Sequence, residues 1–229
     1  MAPEPNTAHA DAPVDLSDLT ADEQAWQQIA EFKARPLRER SATDDALNEM
    51  FRSGTVPKGL SGPTDGMLVM TTTNPLLDPV VRLVTSLWMP WQGKRFDAET
   101  DTGINQFTDS ATVPAKLLWP SYRTQDAEQG KLAFDFTTYE DSGRDDPDRQ
   151  VMVIDYSSVE ANPRLIIKRI RDELVQVAPT TYLGKVLFQL PSLPDLPGMD
   201  SLHRRVKIIP DLSAERFARV GYFALRTGT

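Results

Sequence analysis

The stretch that most limits what this chain can fold into is residues 59–96, GLSGPTDGMLVMTTTNPLLDPVVRLVTSLWMPWQGKRF. Gly59, Gly62 and Gly66 surround Pro63 and read as a tight turn entering a strand at Met67–Thr72. Asn74 followed by Pro75 is a helix start, an N-cap acceptor and then proline at the first helical position. Leu76, Leu77, Val80, Val81, Val84, Leu87 and Trp88 then recur at helical spacing, while Asp78, Arg82, Thr85 and Ser86 fall largely on the other face. The spacing predicts an amphipathic helix over 75–89, ended by Pro90, and Trp91–Phe96 starts the next strand. A bilayer span needs about 20 apolar residues, so this charged, proline-bounded segment is too short for one. The helix either packs its apolar face on a sheet or lids a cavity, with Trp88 and Trp91 at the mouth.

A length of 229 residues suits one domain with a tail, and a hydrophobic content of 40% supplies a sizeable core. Eighteen prolines and a mean hydropathy of −0.39 favour short strands and long connections over a helical bundle. The net charge of −8 argues against bulk nucleic-acid binding, which requires a cationic surface. The absence of cysteine removes disulfides, a thiol nucleophile and cysteine-based metal sites. The first 20 residues lack the basic and apolar regions of a secretory signal. The expected address is cytoplasmic, with no transmembrane span and with peripheral membrane contact left open; no feature specifies an oligomeric state.

Residues 1–16, rich in Pro, Ala and acid, are expected to be a disordered tail. Residues 17–54 form an N-terminal helical segment. Thr20-Ala-Asp-Glu23 fits a capping box, the helix behind it carries Leu19, Trp26, Ile29 and Phe32, and Pro36 breaks it. A second helix over 41–52 places Ala46, Leu47, Met50 and Phe51 on one side, with Gly54 as its stop. Residues 55–229 read as one β-barrel domain. Asp97–Ser110 reads as a polar loop around Asp101-Thr-Gly103, Thr112–Trp119 as a strand, and Lys131–Tyr139 as the clearest strand, with Leu132, Phe134 and Phe136 alternating. Glu140–Gln150 reads as a solvated charged turn and Val151–Tyr156 as a short buried strand. Leu165–Val177 fits either a helix or a long twisted strand, with the strand preferred. Tyr182–Leu190, Arg204–Ile209 and Val220–Arg226 complete the sheet. The expected class is mainly β (α+β): an antiparallel barrel of about eight or nine strands with N-terminal helices and the helix 75–89. Such a barrel can hold one small ligand.

The chemical motifs are mostly absent. No G-x-S-x-G elbow, phosphate-binding Walker loop, G-x-G-x-x-G turn or H-E-x-x-H occurs, and two histidines without cysteine make zinc catalysis a poor fit. His203, Arg204, Arg205 and Lys207 form a local basic cluster, read as a solvated strand edge or as an anion contact through Arg204. His203 is the one option for an axial haem ligand; otherwise no cofactor or metal is expected. Asp155, Tyr156, Asp172, Glu173 and Tyr182 are the other polar candidates. A carboxylate inside an apolar barrel would have a raised pKa and could act as a general acid or base. Asp172 is the first choice, because it could alternate inward with Ile170 and Leu174, and Asp155 is the second. Lys94 and Arg95 follow Trp91, where a cation could meet an anionic head group.

Four segments resemble the GXWXG-domain family. Residues 46–66 resemble its opening, Trp91-Gln92-Gly93-Lys94-Arg95-Phe96 its W-x-G-K-x-F block, Val151–Gly184 its Asp-Tyr and Leu-Gly block, and Val220–Arg226 its terminal strand. The eponymous tryptophan would fall at Thr64. The resemblance implies a small barrel of calycin or lipocalin type and carries a fold more than an activity.

Three functions are therefore weighed. The first is a barrel binding a hydrophobic or lipid-like small molecule, with Trp88, Trp91, Trp119, Phe134, Phe136 and Tyr182 lining or gating it and Lys94, Arg95 or Arg204 meeting a polar head. The second is an isomerase, cyclase or hydrolase acting on a hydrophobic substrate through Asp172 or Asp155. The third is an interaction domain whose barrel is filled by its own side chains.

Overall fold

The computed structural model describes residues 20–71, 91–108, 124–126, 130–164, 166–190 and 216–228. The tail 1–16, the helix expected at 75–89 with Trp88, the strands expected at 112–119 and 204–209, and the residues Trp119, His203 and Arg204 lie outside these.

Two helices precede the sheet: α1 (Ala21–Ala34) and α2 (Arg40–Ser53). The capping box predicted for α1 forms. Thr20 Oγ accepts the Glu23 backbone N–H at 3.3 Å, and Glu23 accepts the Thr20 N–H at 2.8 Å. In α2, Thr43, Leu47 and Phe51 recur every four residues and make the buried stripe.

Among the described residues nine strands follow: β1 (Gly62–Thr71), β2 (Trp91–Asp97), β3 (Thr102–Phe107), β4 (Gln125–Asp126), β5 (Lys131–Ser142), β6 (Gln150–Asp155), β7 (Ile170–Ala178), β8 (Thr181–Gln189) and β9 (Phe217–Thr227). Every pairing is antiparallel. The order β3-β2-β1-β9-β8-β7-β6-β5 closes on itself through β3–β5, and β4 adds two residues beside β5. Leaving β4 aside, each strand pairs with its neighbour in sequence and β9 returns to β1. The fold is thus a closed eight-stranded up-and-down barrel of the calycin-like type expected, with β4 as an extra strand.

Strand alternation gives the barrel two cores. Inward residues, among them Phe96, Phe107, Phe136, Ile154, Ile170, Leu174, Val186, Phe223 and Leu225, form the interior cluster. Outward residues of β6–β9 (Val151, Val153, Val175, Leu183, Tyr222 and Ala224) pack under Ile29, Phe32, Leu47 and Phe51 of the helices. Strands β7 to β9 therefore read as apolar on both faces, because one face lines the barrel and the other is roofed by α1 and α2.

Four expectations are corrected. Gly62–Gly66 is the first half of β1 and not a turn: Gly62 and Pro63 pair with β2, and Thr64 to Gly66 pair with β9. Small residues are needed there because the Trp91 indole lies against Gly66, where a Cβ would come within 2.6 Å of the ring. Asp97–Ser110 is not simply a loop. It contains a turn at 98–101 and the strand β3, whose inward polar Asn105 obscures the alternation. The strand preferred for Leu165–Val177 holds from Ile170 on, as β7, and is corrected before it, where Ile167–Arg169 form a 3₁₀ turn.

The fourth correction concerns the charged segment after β5. Most of it is exposed, as expected, but it is also tied down at Asp145, Asp146 and Asp148. Lys185 on β8, fully buried, donates to Asn48 of α2 at 2.6 Å, to Asp145 at 2.9 Å and to Asp146. Arg52 of α2 donates to Asp146 at 2.6 Å and to Asp148 at 2.7 Å, and Arg219 of β9 bridges Asp44 and Asp145 at 2.6 and 2.9 Å. These cations sit on other elements, so the composition of the loop alone does not disclose its counter-ions. Burial alone would raise the Asp146 carboxyl, but the Lys185 and Arg52 bonds win and hold it below its ordinary value.

Glu173 on the outer face of β7 shows the opposite balance. Burial raises its carboxyl above the usual 4.5, against the opposing bonds from the Arg144 backbone N–H at 2.7 Å and Arg171 at 3.0 Å. A folded-state pKa above the unfolded value means that the native state binds the extra proton. The Glu173 contribution to stability is present below the unfolded pKa and lost as pH rises through the folded one. Subtracting the Glu173→Gln unfolding free energies from those of the wild type, across an acid pH series in urea, should give a difference that declines with pH. A flat or rising difference contradicts this assignment.

Candidate functional site

Inside the barrel, four polar side chains from four strands or their ends converge: Lys94 (β2), Asn105 (β3), Tyr156 (just past β6) and Asp172 (β7). Their exposures are 2%, 5%, 4% and 1%. Lys94 Nζ spends its three donors on Asn105 Oδ1 at 2.9 Å, Asp172 Oδ2 at 2.9 Å and the Tyr156 hydroxyl. Tyr156 donates to Asp172 Oδ2 at 3.0 Å and accepts from Asn105 Nδ2 at 3.2 Å. Trp91 Nε1 donates to Asn105 Oδ1 at 3.2 Å. Asp172 Oδ1, also buried, has no hydrogen-bond partner among the described residues. Because a buried unsatisfied carboxylate oxygen is costly, this atom is the open valence of the cluster.

An aromatic shell surrounds the ammonium. The rings of Tyr156, Phe223, Phe136 and Trp91 have centroids 5.2, 5.2, 5.3 and 5.7 Å from Lys94 Nζ. Edge-on contacts, Phe136 with Tyr156 and Trp91 with Phe223, fix the ring orientations. The low-dielectric shell destabilises charge: burial lowers the Lys94 ammonium below its ordinary 10.5, with Asp172 pulling it partly back. Burial, reinforced by the Asp172 charge, pushes the Tyr156 hydroxyl well above 10, so it keeps its proton and acts as a donor.

The backbone around the cluster is unusual. Residues Ile104 and Asn105 oppose Asp135 and Ala133, so Phe134 is the extra residue of a β-bulge, with φ +60°. A bulky residue in that region is strained. Asn105 Nδ2 donates to the Phe134 carbonyl at 3.0 Å, so one side chain both holds the bulge and joins the polar cluster. A second bulge lies between Trp91 and Gly93 of β2. Gly93 has φ +152°, and a Cβ there would fall 1.9 Å from the Thr64 carbonyl oxygen. Thr64 completes the junction: its hydroxyl accepts from the Lys94 N–H at 3.1 Å and donates to the Lys94 carbonyl at 2.7 Å. Beyond this point β1 and β2 are no longer paired. Between them, a groove of about 540 Å³ is bordered by Thr64, Gly66, Trp91, Gln92 and Gln106. The Trp91 indole thus borders the groove and, through Nε1, touches the interior cluster.

The expected site residues divide clearly. Trp91, Phe134, Phe136 and Tyr182 line the interior, and Asp172 points inward between Ile170 and Leu174 as its alternation implied. Lys94 is expected at a mouth and is instead interior, because the bulge at Gln92 turns it inward together with Phe96. Arg95 is exposed on the outer side and belongs to no interior contact. Asp155 does not join the site; its carboxylate accepts the Ser157 N–H and hydroxyl, both at 2.7 Å, in the turn after β6. Asn105 was not expected. Among the described residues, no group of three or more His, Asp or Glu is placed to hold a metal, and no helix is long and apolar enough to cross a membrane.

Comparison of the chain with protein-family models, with curated proteins and with solved structures found no match. Fold and site together define a class, a closed antiparallel barrel with a buried polar cluster in its interior.

Proposed function

We propose that the barrel binds a hydrophobic or lipid-like small molecule, held at its polar end by the Lys94–Asn105–Tyr156–Asp172 cluster. The observation that carries this reading is the partnerless Asp172 Oδ1 inside the barrel, in an otherwise bonded cluster; Glu173 Oε2, also partnerless, lies on the outer face of β7. A cluster serving packing alone gains nothing from an unpaired buried acceptor, whereas a ligand hydroxyl or N–H would complete it. The strained Phe134 and the two bulges at the same place support this reading, since local rules are most often broken where a site is built. Trp91, set between the groove and the cluster, is suited to gate entry. The resemblance to the GXWXG-domain family agrees with a ligand-holding barrel and adds no ligand identity.

A second reading is supported by the lowered Lys94 pKa beside Asp172 and Tyr156. That trio could move a proton on a hydrophobic substrate, as an isomerase, cyclase or hydrolase requires. Both readings place the ligand at Asp172, so one experiment bears on both. Fatty acids, fatty alcohols and sterols are screened by thermal unfolding against the wild type and Asp172→Asn. The expected result is a saturable rise in Tm with at least one class bearing a hydroxyl or acid group, reduced about tenfold in apparent affinity in the variant. An equal rise in both proteins contradicts the placement, and no rise with any class contradicts ligand binding of this kind. Consumption of the bound compound would select the second reading over the first.

A further inference from the structure

The end of α1, the linker and the first residue of α2 form a basic cluster that stands out against the acidic chain. Four of the eight residues from 33 to 40 are Lys or Arg, in a protein of net charge −8. At its tip Leu37 is 79% exposed, the most exposed large hydrophobic residue among those described. Arg38 beside it is 82% exposed at its side chain, with only a 3.6 Å pair to Glu39. Behind the tip lies a groove of about 340 Å³, floored by Phe32, Leu68 and Met70 and rimmed by Lys33, Arg35 and Arg40. Arg35 lies over the Phe32 ring at 4.6 Å, and Arg40 reaches the Thr71 hydroxyl at 3.5 Å, so both cations are held at the rim rather than dispersed.

An exposed leucine ringed by cations, backed by an apolar groove, is complementary to one kind of surface: anionic head groups above hydrocarbon. Salt screens the cations, and an inserted leucine adds an apolar term that salt does not weaken. We propose that the Lys33–Arg40 segment docks the protein onto an anionic lipid surface, with Leu37 inserted below the head groups. The proposal is independent of the interior site, which lies on the opposite face of the barrel wall.

Its test is flotation of the full chain with vesicles of phosphatidylcholine alone and of phosphatidylcholine mixed with phosphatidylserine, at low and at physiological salt. The expected result is binding to the mixed vesicles only, weakened by salt. Leu37→Asp and Arg38→Glu should each reduce it by about fivefold and together by more than tenfold. Both residues are exposed, so unchanged melting temperatures show that the fold survives. Equal binding to neutral and anionic vesicles, no binding to either, or binding unaffected by both substitutions overturns the proposal. So does a rise in Tm with a monomeric fatty acid that these substitutions abolish while vesicles remain unbound, because the occupant is then a soluble amphiphile.

Discussion

Lys94→Met should destabilise the protein by about 3–5 kcal/mol, and adding Asp172→Leu should recover most of that loss. Lys94 and Asp172 are 2% and 1% exposed and 2.9 Å apart. Removing the ammonium strands a carboxylate in an aromatic interior, and the loss of its charge-assisted bonds to Asn105 and Tyr156 adds to the cost. Replacing both partners by apolar residues of similar volume removes the stranded charge along with the pair, which is why buried ion pairs often prove neutral against hydrophobic replacements. Urea unfolding of the two singles and the double closes a thermodynamic cycle. A cost under about 1 kcal/mol for Lys94→Met would mean that the pair is solvated. The wild type carries a further signature. Since Lys94 titrates below 10.5 when folded, the unfolded chain holds the extra proton in that interval, and stability rises with pH there until the unfolded chain also loses it.

Lys185→Met should be of similar size, about 3–5 kcal/mol, for a related reason on the other face of the wall. Lys185 is fully buried under α2, with Phe51 4.6 Å from its ammonium, and it neutralises Asp146 at 4% side-chain exposure. Its loss leaves Asp146 to Arg52 alone and frees Asp145 to Arg219 alone. The damage should spread along that network. Amide exchange should speed up in α2 and in residues 143–149 more than in β2 and β3, which Lys185 does not touch. Uniform exchange across the barrel, or a cost below about 1 kcal/mol, would remove Lys185 from the role of clamp between helix, loop and sheet.

Much of the architecture could be read from residue order. The Thr20–Glu23 capping box and the four-residue stripe of α2 each follow from a local rule and appear where that rule puts them; the alternation of β5 holds at Phe134 and Phe136 but not before them, where the bulge turns Ala133 inward in place of Leu132. Asp172 was placed inward by counting from Ile170 and Leu174. What stayed hidden was set by distant partners. Glycine and proline at 62–66 signal a turn locally, yet they form a strand because a tryptophan from β2 needs the space above Gly66. Asn105 breaks the pattern of β3 because it serves the site, and so the strand that contains it reads as a loop. Lys94 is two residues past the residue of a bulge, and a one-residue insertion reverses which face a side chain takes. Lys33, Arg35, Arg38 and Arg40 lie within eight consecutive residues, whereas the apolar groove beside them is completed by β1 and is not visible in that stretch.

The proposed role of the Asp172 cluster is to anchor a ligand. Native mass spectrometry of the purified full chain, followed by denaturing extraction and identification of what is released, tests it most directly. The expected result is a near-stoichiometric hydrophobic molecule bearing a hydroxyl, acid or N–H group, present on the wild type and depleted from Asp172→Asn. A bare wild-type mass, with no compound of the screened classes retained on incubation, would contradict it and leave the barrel as a filled scaffold whose polar cluster serves the fold alone.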